Sequence, residues 1–68
     1  MHNHVYQKIQ IVGTSSVSLS DAVAEAVSKA TSIIKDACWF EILEQRGAIA
    51  DGKVQQFQVT ISVGGKID

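Results

Sequence analysis

The 68-residue chain has no proline, one cysteine, one tryptophan, one tyrosine and two phenylalanines. Each scarcity excludes something. A lone cysteine, Cys38, closes no internal disulfide, so that staple is missing and a reduced, cytoplasmic setting is expected. No apolar run approaches the ~18 residues that span a bilayer, and the polar start MHNHVYQKIQ has no signal-peptide core, so no membrane is expected as a partner. The six basic residues are scattered and the formal net charge is −1. That argues against nucleic acid, whose phosphates select a basic patch. No repeat or low-complexity tract interrupts the chain, and its length allows one domain over residues 1–68.

What is present is a core. Hydrophobic residues make up 46% of the sequence, enough for a packed globule. A chain this short nevertheless buries only roughly 60% of its surface on folding. Small folds compensate with disulfides, a metal or self-association. The first is excluded and the second finds little support, so copies of the same chain are the expected partners.

Val5, Ile9 and Ile11 alternate with Tyr6, Lys8 and Gln10, which predicts a half-buried strand over about 5–12. Gly13-Thr14-Ser15-Ser16 reads as a loop. Ser18 followed by Asp21 fits a capping box, and apolar residues then recur at three-and-four spacing from Leu19 to Ala37, predicting a helix over about 19–36. Two strands follow, about 39–50 and 53–63, joined by Asp51-Gly52, a strong type I′ hairpin signal. The order β-α-β-β predicts an α+β fold: a three-stranded antiparallel sheet with one helix packed on one face.

Trp39 and Phe40 are adjacent, so in a strand they point to opposite faces. Phe40 and Ile42 suit the helix-covered face, which leaves Trp39 on the open one. In the last strand Phe57, Val59, Ile61 and Val63 alternate with Gln58, so Gln58 is also on the open face. A two-residue turn at Asp51-Gly52 sets Trp39 opposite Gly64 and Gln58 opposite Gln45. Trp39 and Gln58 are then about 20 Å apart along the ladder, too far for one copy to bring both to one ligand. Trp39 is either interface packing or a platform on which a flat ring stacks, with a glutamine matching an imide edge. Unbroken alternation puts Glu44 and Arg46 in phase with Phe40; either the hairpin tip overhangs the helix, or a bulge near Gln45 turns them over.

Weaker candidates are set aside. His2 and His4 form H-x-H, too few ligands for a metal. The Gly13–Ser16 stretch lacks the P-loop pattern. Ser20 and Asp21 have no partner histidine for a triad, and Asp36, Glu41 and Glu44 make no convincing acid/base pair. No enzyme signature is present.

HVYQKIQIVGTS, the helix, and WFEILEQRGAIADGKVQQFQVTISVG together resemble the dodecins, over about residues 4–64. The VGTS turn, WFE, the RG pair and the Q-V-T strand stand in the right order and spacing. The resemblance implies a hollow homododecamer that stores and buffers flavin and quenches its photoreactivity. It implies FMN as the cofactor, with riboflavin as the alternative and coenzyme A as a further ligand of some members. Trp39 would stack on the isoalloxazine ring, Gln58 would bond its pyrimidine edge, Arg46 would lie beside the ligand, and Gln7 and Lys66 would lie toward the ribityl or phosphate end. Departures bear on that end: Gly65 stands where the family usually has phenylalanine, Lys66 where it has arginine, Gln7 where many members are basic and Ala48 where many carry histidine. The rival readings are a ligand-free shell, a cage for another cofactor such as coenzyme A, and a flavin-using redox enzyme.

Overall fold

The computed structural model describes residues 3–68. Its elements are β1 (Tyr6–Ser15), α1 (Leu19–Ile33), β2 (Ala37–Ala50) and β3 (Lys53–Lys66). Both strand pairs are antiparallel and the strand order is β1-β3-β2, so the chain's last strand is the central one. The sheet carries α1 on one face, as the β-α-β-β pattern predicts.

The core follows from a stripe of small residues. Ala22, Ala26 and Ala30, one helical turn apart, are buried against Val59, Ile61 and Val63 of β3, with Ile34 closing one end. Alanine keeps the helix close to the sheet, and Gly13 makes the closest approach possible: a Cβ there would collide with the carbonyl oxygen of Ala22 and the Cβ of Ala26. The expected loop at Gly13-Thr14-Ser15 is therefore strand. Gly13, Thr14 and Ser15 pair with Val59, Gln58 and Phe57, and glycine serves contact with the helix rather than a break.

The helix entry forms as the capping box predicts on one side. Ser18 is the N-cap and its hydroxyl accepts the Asp21 N–H at 2.9 Å. The reciprocal arm is taken by Ser15, which is buried. Its Oγ donates to Asp21 Oδ2 at 2.7 Å and accepts the N–H groups of Val17 at 2.9 Å and Ser18 at 3.3 Å. The N–H groups of Val17, Ser18 and Asp21 at this turn thus have protein partners.

α1 stops at Ile33, short of the expected Asp36. Ile34 is extended (φ −103°, ψ 115°), gives its N–H to Ala30 O, and packs its side chain where a Gly65 side chain would be. The extended backbone frees the Asp36 carbonyl to accept the Lys66 N–H at 3.2 Å and lets Ala37 pair with Gly65. Those two bonds also explain why β2 starts earlier and β3 ends later than the hydrophobic alternation suggests. At the other end Asp51 (φ 53°) and Gly52 (φ 74°) both take positive φ, which is the type I′ hairpin turn. The molecule is 58 Å long, whereas a 15-residue helix spans about 22 Å, so the hairpin tip projects beyond the helix. Ile49 and Val54 are exposed there.

Candidate functional site

Three irregularities in the β2–β3 ladder decide which β2 side chains face away from the helix. The register shifts between Ala37 and Trp39, between Ile42 and Glu44, and between Ala48 and Ile49. The first leaves Cys38 as an extra residue, so that Ala37 joins the core side while Trp39, opposite Gly64, keeps the open side. The second makes Leu43 the extra residue. Up to that point Phe40 and Ile42 oppose the buried Val63 and Ile61; beyond it Gln45 opposes Val59, and Glu44 and Arg46 turn onto the open face. The hairpin overhang and the bulge considered from the sequence are thus both present, with the bulge at Leu43 rather than Gln45.

An extra residue on β3, Gln55, at the third irregularity corrects one pairing. Gln58 stands opposite Arg46, not Gln45. Arg46 and Gln58 are brought side by side on the open face, with Thr14 of β1 on the other flank of Gln58. The Gln58 carboxamide donates to Gln56 Oε1 at 3.1 Å. One N–H of its amide and its carbonyl oxygen remain for another partner. Arg46 has a loose partner in Glu44 at 4.0 Å, and both side chains are more than half exposed.

Trp39 lies at the opposite end of the same face. Its six-membered ring occupies the space that a side chain at Gly64 would need. Tyr6 meets it edge-to-face, with ring centroids 5.2 Å apart and planes at 63°. The residue is still 38% exposed, because nothing among the described residues covers its outer face. Beside it, Lys8 Nζ lies 2.7 Å from Glu41 Oε1. That ammonium, through its hydrogen bond and then its charge, holds the Glu41 carboxyl below the usual carboxylate range, and the Trp39 side chain adds a smaller hydrogen-bonding contribution.

Of the remaining expected site residues, Lys66 is on the Trp39 side: it pairs with Tyr6, two residues along β3 from Gly64. Gln7 opposes Gly65 in the alternation of Ile9 and Ile11, on the helix side, so within one chain it does not join Trp39. Gln58 is six residues along β3 from Gly64, about 20 Å. One chain therefore places Trp39 with Lys66 at one end of the open face and Gln58 with Arg46 at the other. Tyr6, Lys8 and Glu41 were given no role from the sequence. Alternation along β2 puts Glu41 on the face of Trp39; the meeting of Tyr6 and Lys8 with them depends on β1 lying against β3, which no local pattern announces. His4 contacts Asp68 Oδ1 at 3.5 Å, and His2 falls outside the described residues. Among the described residues no group of three or more His, Cys, Asp or Glu could hold a metal ion, and no helix is long and apolar enough to cross a membrane.

Comparison with known proteins settles the family. The dodecin family model matches residues 5–68. The chain belongs to the dodecin family. It is 36% identical to a dodecin of Thermus thermophilus over 64 residues, 94% of this chain and 93% of that one. Its fold is similar to that of the dodecin from Streptomyces davaonensis, with a TM-score of 0.92 and 36% identity over 98% of each chain. It is also similar to a calcium-chelating antigen of Mycobacterium tuberculosis described as a calcium dodecin with a novel calcium-binding site. There the TM-score is 0.81 and the identity 34%, covering 94% of this chain and 91% of that one. Dodecins are small binding proteins, and this chain has their sheet and helix.

Proposed function

We propose that this dodecin stores and buffers flavin: copies assemble into a hollow homododecamer and clasp FMN, or riboflavin in its place, between Trp39 side chains of neighbouring subunits. The observation that carries the reading is the posture of Trp39. An indole laid over a glycine, with its outer face uncovered, is a platform for a flat ring, and such stacking contributes roughly 1–3 kcal/mol per ring.

The separation of Trp39 from Gln58 fits a site made between copies. One chain offers the stacking face, another the carboxamide of Gln58, whose free N–H and carbonyl oxygen match the donor–acceptor edge of a flavin's imide. Arg46 beside Gln58 supplies positive charge near that edge. Lys66, next to Trp39, is placed for an anionic tail, and favours FMN over riboflavin. Gln7 approaches a ligand only if a neighbouring copy carries it there. The bound ring supplies the light absorption. An indole in contact with an excited ring lends it an electron and takes it back, so the excitation ends as heat and photochemistry is suppressed. No turnover is required, and the role is binding rather than catalysis.

Self-assembly is supported by what α1 leaves bare. Phe40, Ile42 and Leu43 of β2 are each close to half exposed, and an apolar groove of about 130 Å³ runs between α1 and β2 along Val27, Thr31, Ala37, Phe40 and Val63. A chain of this size leaves such a face uncovered only when another copy covers it.

FMN titration, followed by flavin fluorescence, tests the assignment. The parent protein should quench the emission on binding. Trp39→Ala should bind FMN at least about fivefold more weakly, the low end of a stacking contribution, while eluting at the same size on gel filtration. Equal affinity in the two proteins refutes the stacking role.

A further inference from the structure

The indole of Trp39 meets Gly64 and the Tyr6 ring, and the Lys8–Glu41 pair stands beside it on the same face. Gly64 is beneath it. The Tyr6 ring meets it edge-to-face at 5.2 Å. Lys8, Gly64 and Trp39 form one rung across β1, β3 and β2, and from that rung Lys8 reaches Glu41, two residues from Trp39 on the same face, at 2.7 Å. Tyr6 and Glu41 are both exposed, the Lys8–Glu41 pair is about half exposed at each end, and such surface pairs add little to stability. Their common feature is position: Tyr6 closes one edge of the indole, and the ion pair stands along its own strand.

We propose that Tyr6 and the Lys8–Glu41 pair are positioning residues for Trp39, fixing the plane of its ring over Gly64 so that the outer face is presented ready-made before a ligand arrives. The inference rests on the reading of Trp39 as the stacking residue. Its physical content is preorganisation. A side chain already frozen in its bound rotamer loses no further freedom on binding, whereas a swinging indole must be ordered by the ligand, which weakens affinity by about three- to tenfold.

Trp39 is the chain's only tryptophan and Tyr6 its only tyrosine, so tryptophan-selective fluorescence of ligand-free protein reports on this indole. The variants are Tyr6→Leu, Tyr6→Phe, Glu41→Gln and Lys8→Met, each checked for assembly by gel filtration. In ligand-free protein, Tyr6→Leu, Glu41→Gln and Lys8→Met should lower Trp39 fluorescence anisotropy and flatten the near-ultraviolet circular dichroism. Tyr6→Phe, which keeps the ring, should restore both. The first three should bind FMN about three- to tenfold more weakly, with Tyr6→Phe close to the parent. Should Tyr6→Leu fail to assemble, the exposed isostere Glu41→Gln decides. Three results overturn the proposal: indole signals and FMN affinity both unchanged, a loosened indole with unchanged affinity, or weakened affinity with an unmoved indole, which would mean direct contact with the ligand. If Trp39→Ala leaves FMN binding intact, the stacking assignment fails separately, and the ligand-free measurements still decide whether these residues hold the ring.

Discussion

Trp39 and Gly64 face each other across the β2–β3 ladder, and the indole fills the volume a side chain at position 64 would occupy. The glycine is the floor of the site. Its conformation is not at issue, since its φ is not positive; its missing Cβ is. Gly64→Ala should therefore push the indole off the sheet with the backbone ladder intact. FMN affinity should fall about tenfold or more, and near-ultraviolet circular dichroism should change while the far-ultraviolet spectrum does not.

The Glu41–Lys8 pair gives the site an acid limit. Glu41 titrates lower in the folded chain than when unfolded, with Lys8 of β1 as the main cause, Trp39 as the neighbour on β2, and Ser62 the uncharged residue opposite on β3. A depressed carboxyl contributes stability that is present above its unfolded value and lost as pH falls through its folded value. Trp39 anisotropy in ligand-free protein should thus be flat near neutrality and fall only below the usual carboxylate range. In Glu41→Gln that acid step should be absent.

Ser15 ties the end of β1 to the start of α1 through three hydrogen bonds from one buried hydroxyl. Ser15→Ala leaves Asp21 and two backbone N–H groups to find water beside the core. The expected cost is about 1–3 kcal/mol, read as a lower denaturation midpoint at unchanged slope. Flavin affinity measured well below the transition should stay the same, because Ser15 pairs with Phe57 on the helix side, away from the open face that carries Trp39 and Gln58.

How much of this was legible in the sequence follows from the range of each signal. Period-two and three-and-four spacing placed the strands, the helix and the open-face position of Trp39, because those periods are local properties of the backbone. Asp51-Gly52 marks the hairpin, and the pairing of Trp39 with Gly64 counted from it holds because the extra residues Gln55 on β3 and Leu43 on β2 offset each other. Gly13 was misread because a glycine needed for close helix contact looks, along the chain, like a glycine needed for a turn. The helix was drawn too long because Ile34 and Ala37 fit its apolar stripe equally well; what ends it is a long-range demand, the packing of Ile34 on Gly65 and the pairing of Ala37. The extra residue at Gln55, which sets Arg46 opposite Gln58, and the Leu43 bulge, which turns Glu44 and Arg46 onto the open face, leave no mark in the hydrophobic pattern. Glu41 shares the face of Trp39 by simple alternation, but Tyr6 and Lys8 join that group only because β1 lies on the far side of β3.

The central claim is that Trp39 side chains of assembled copies hold a flavin. Native mass spectrometry after incubation with FMN, with denaturing release of the ligand, tests it in one experiment on parent and Trp39→Ala protein. The account predicts a twelve-chain assembly in both, carrying FMN in the parent and largely empty in the variant. A monomeric parent, or a variant as fully loaded as the parent, would contradict it.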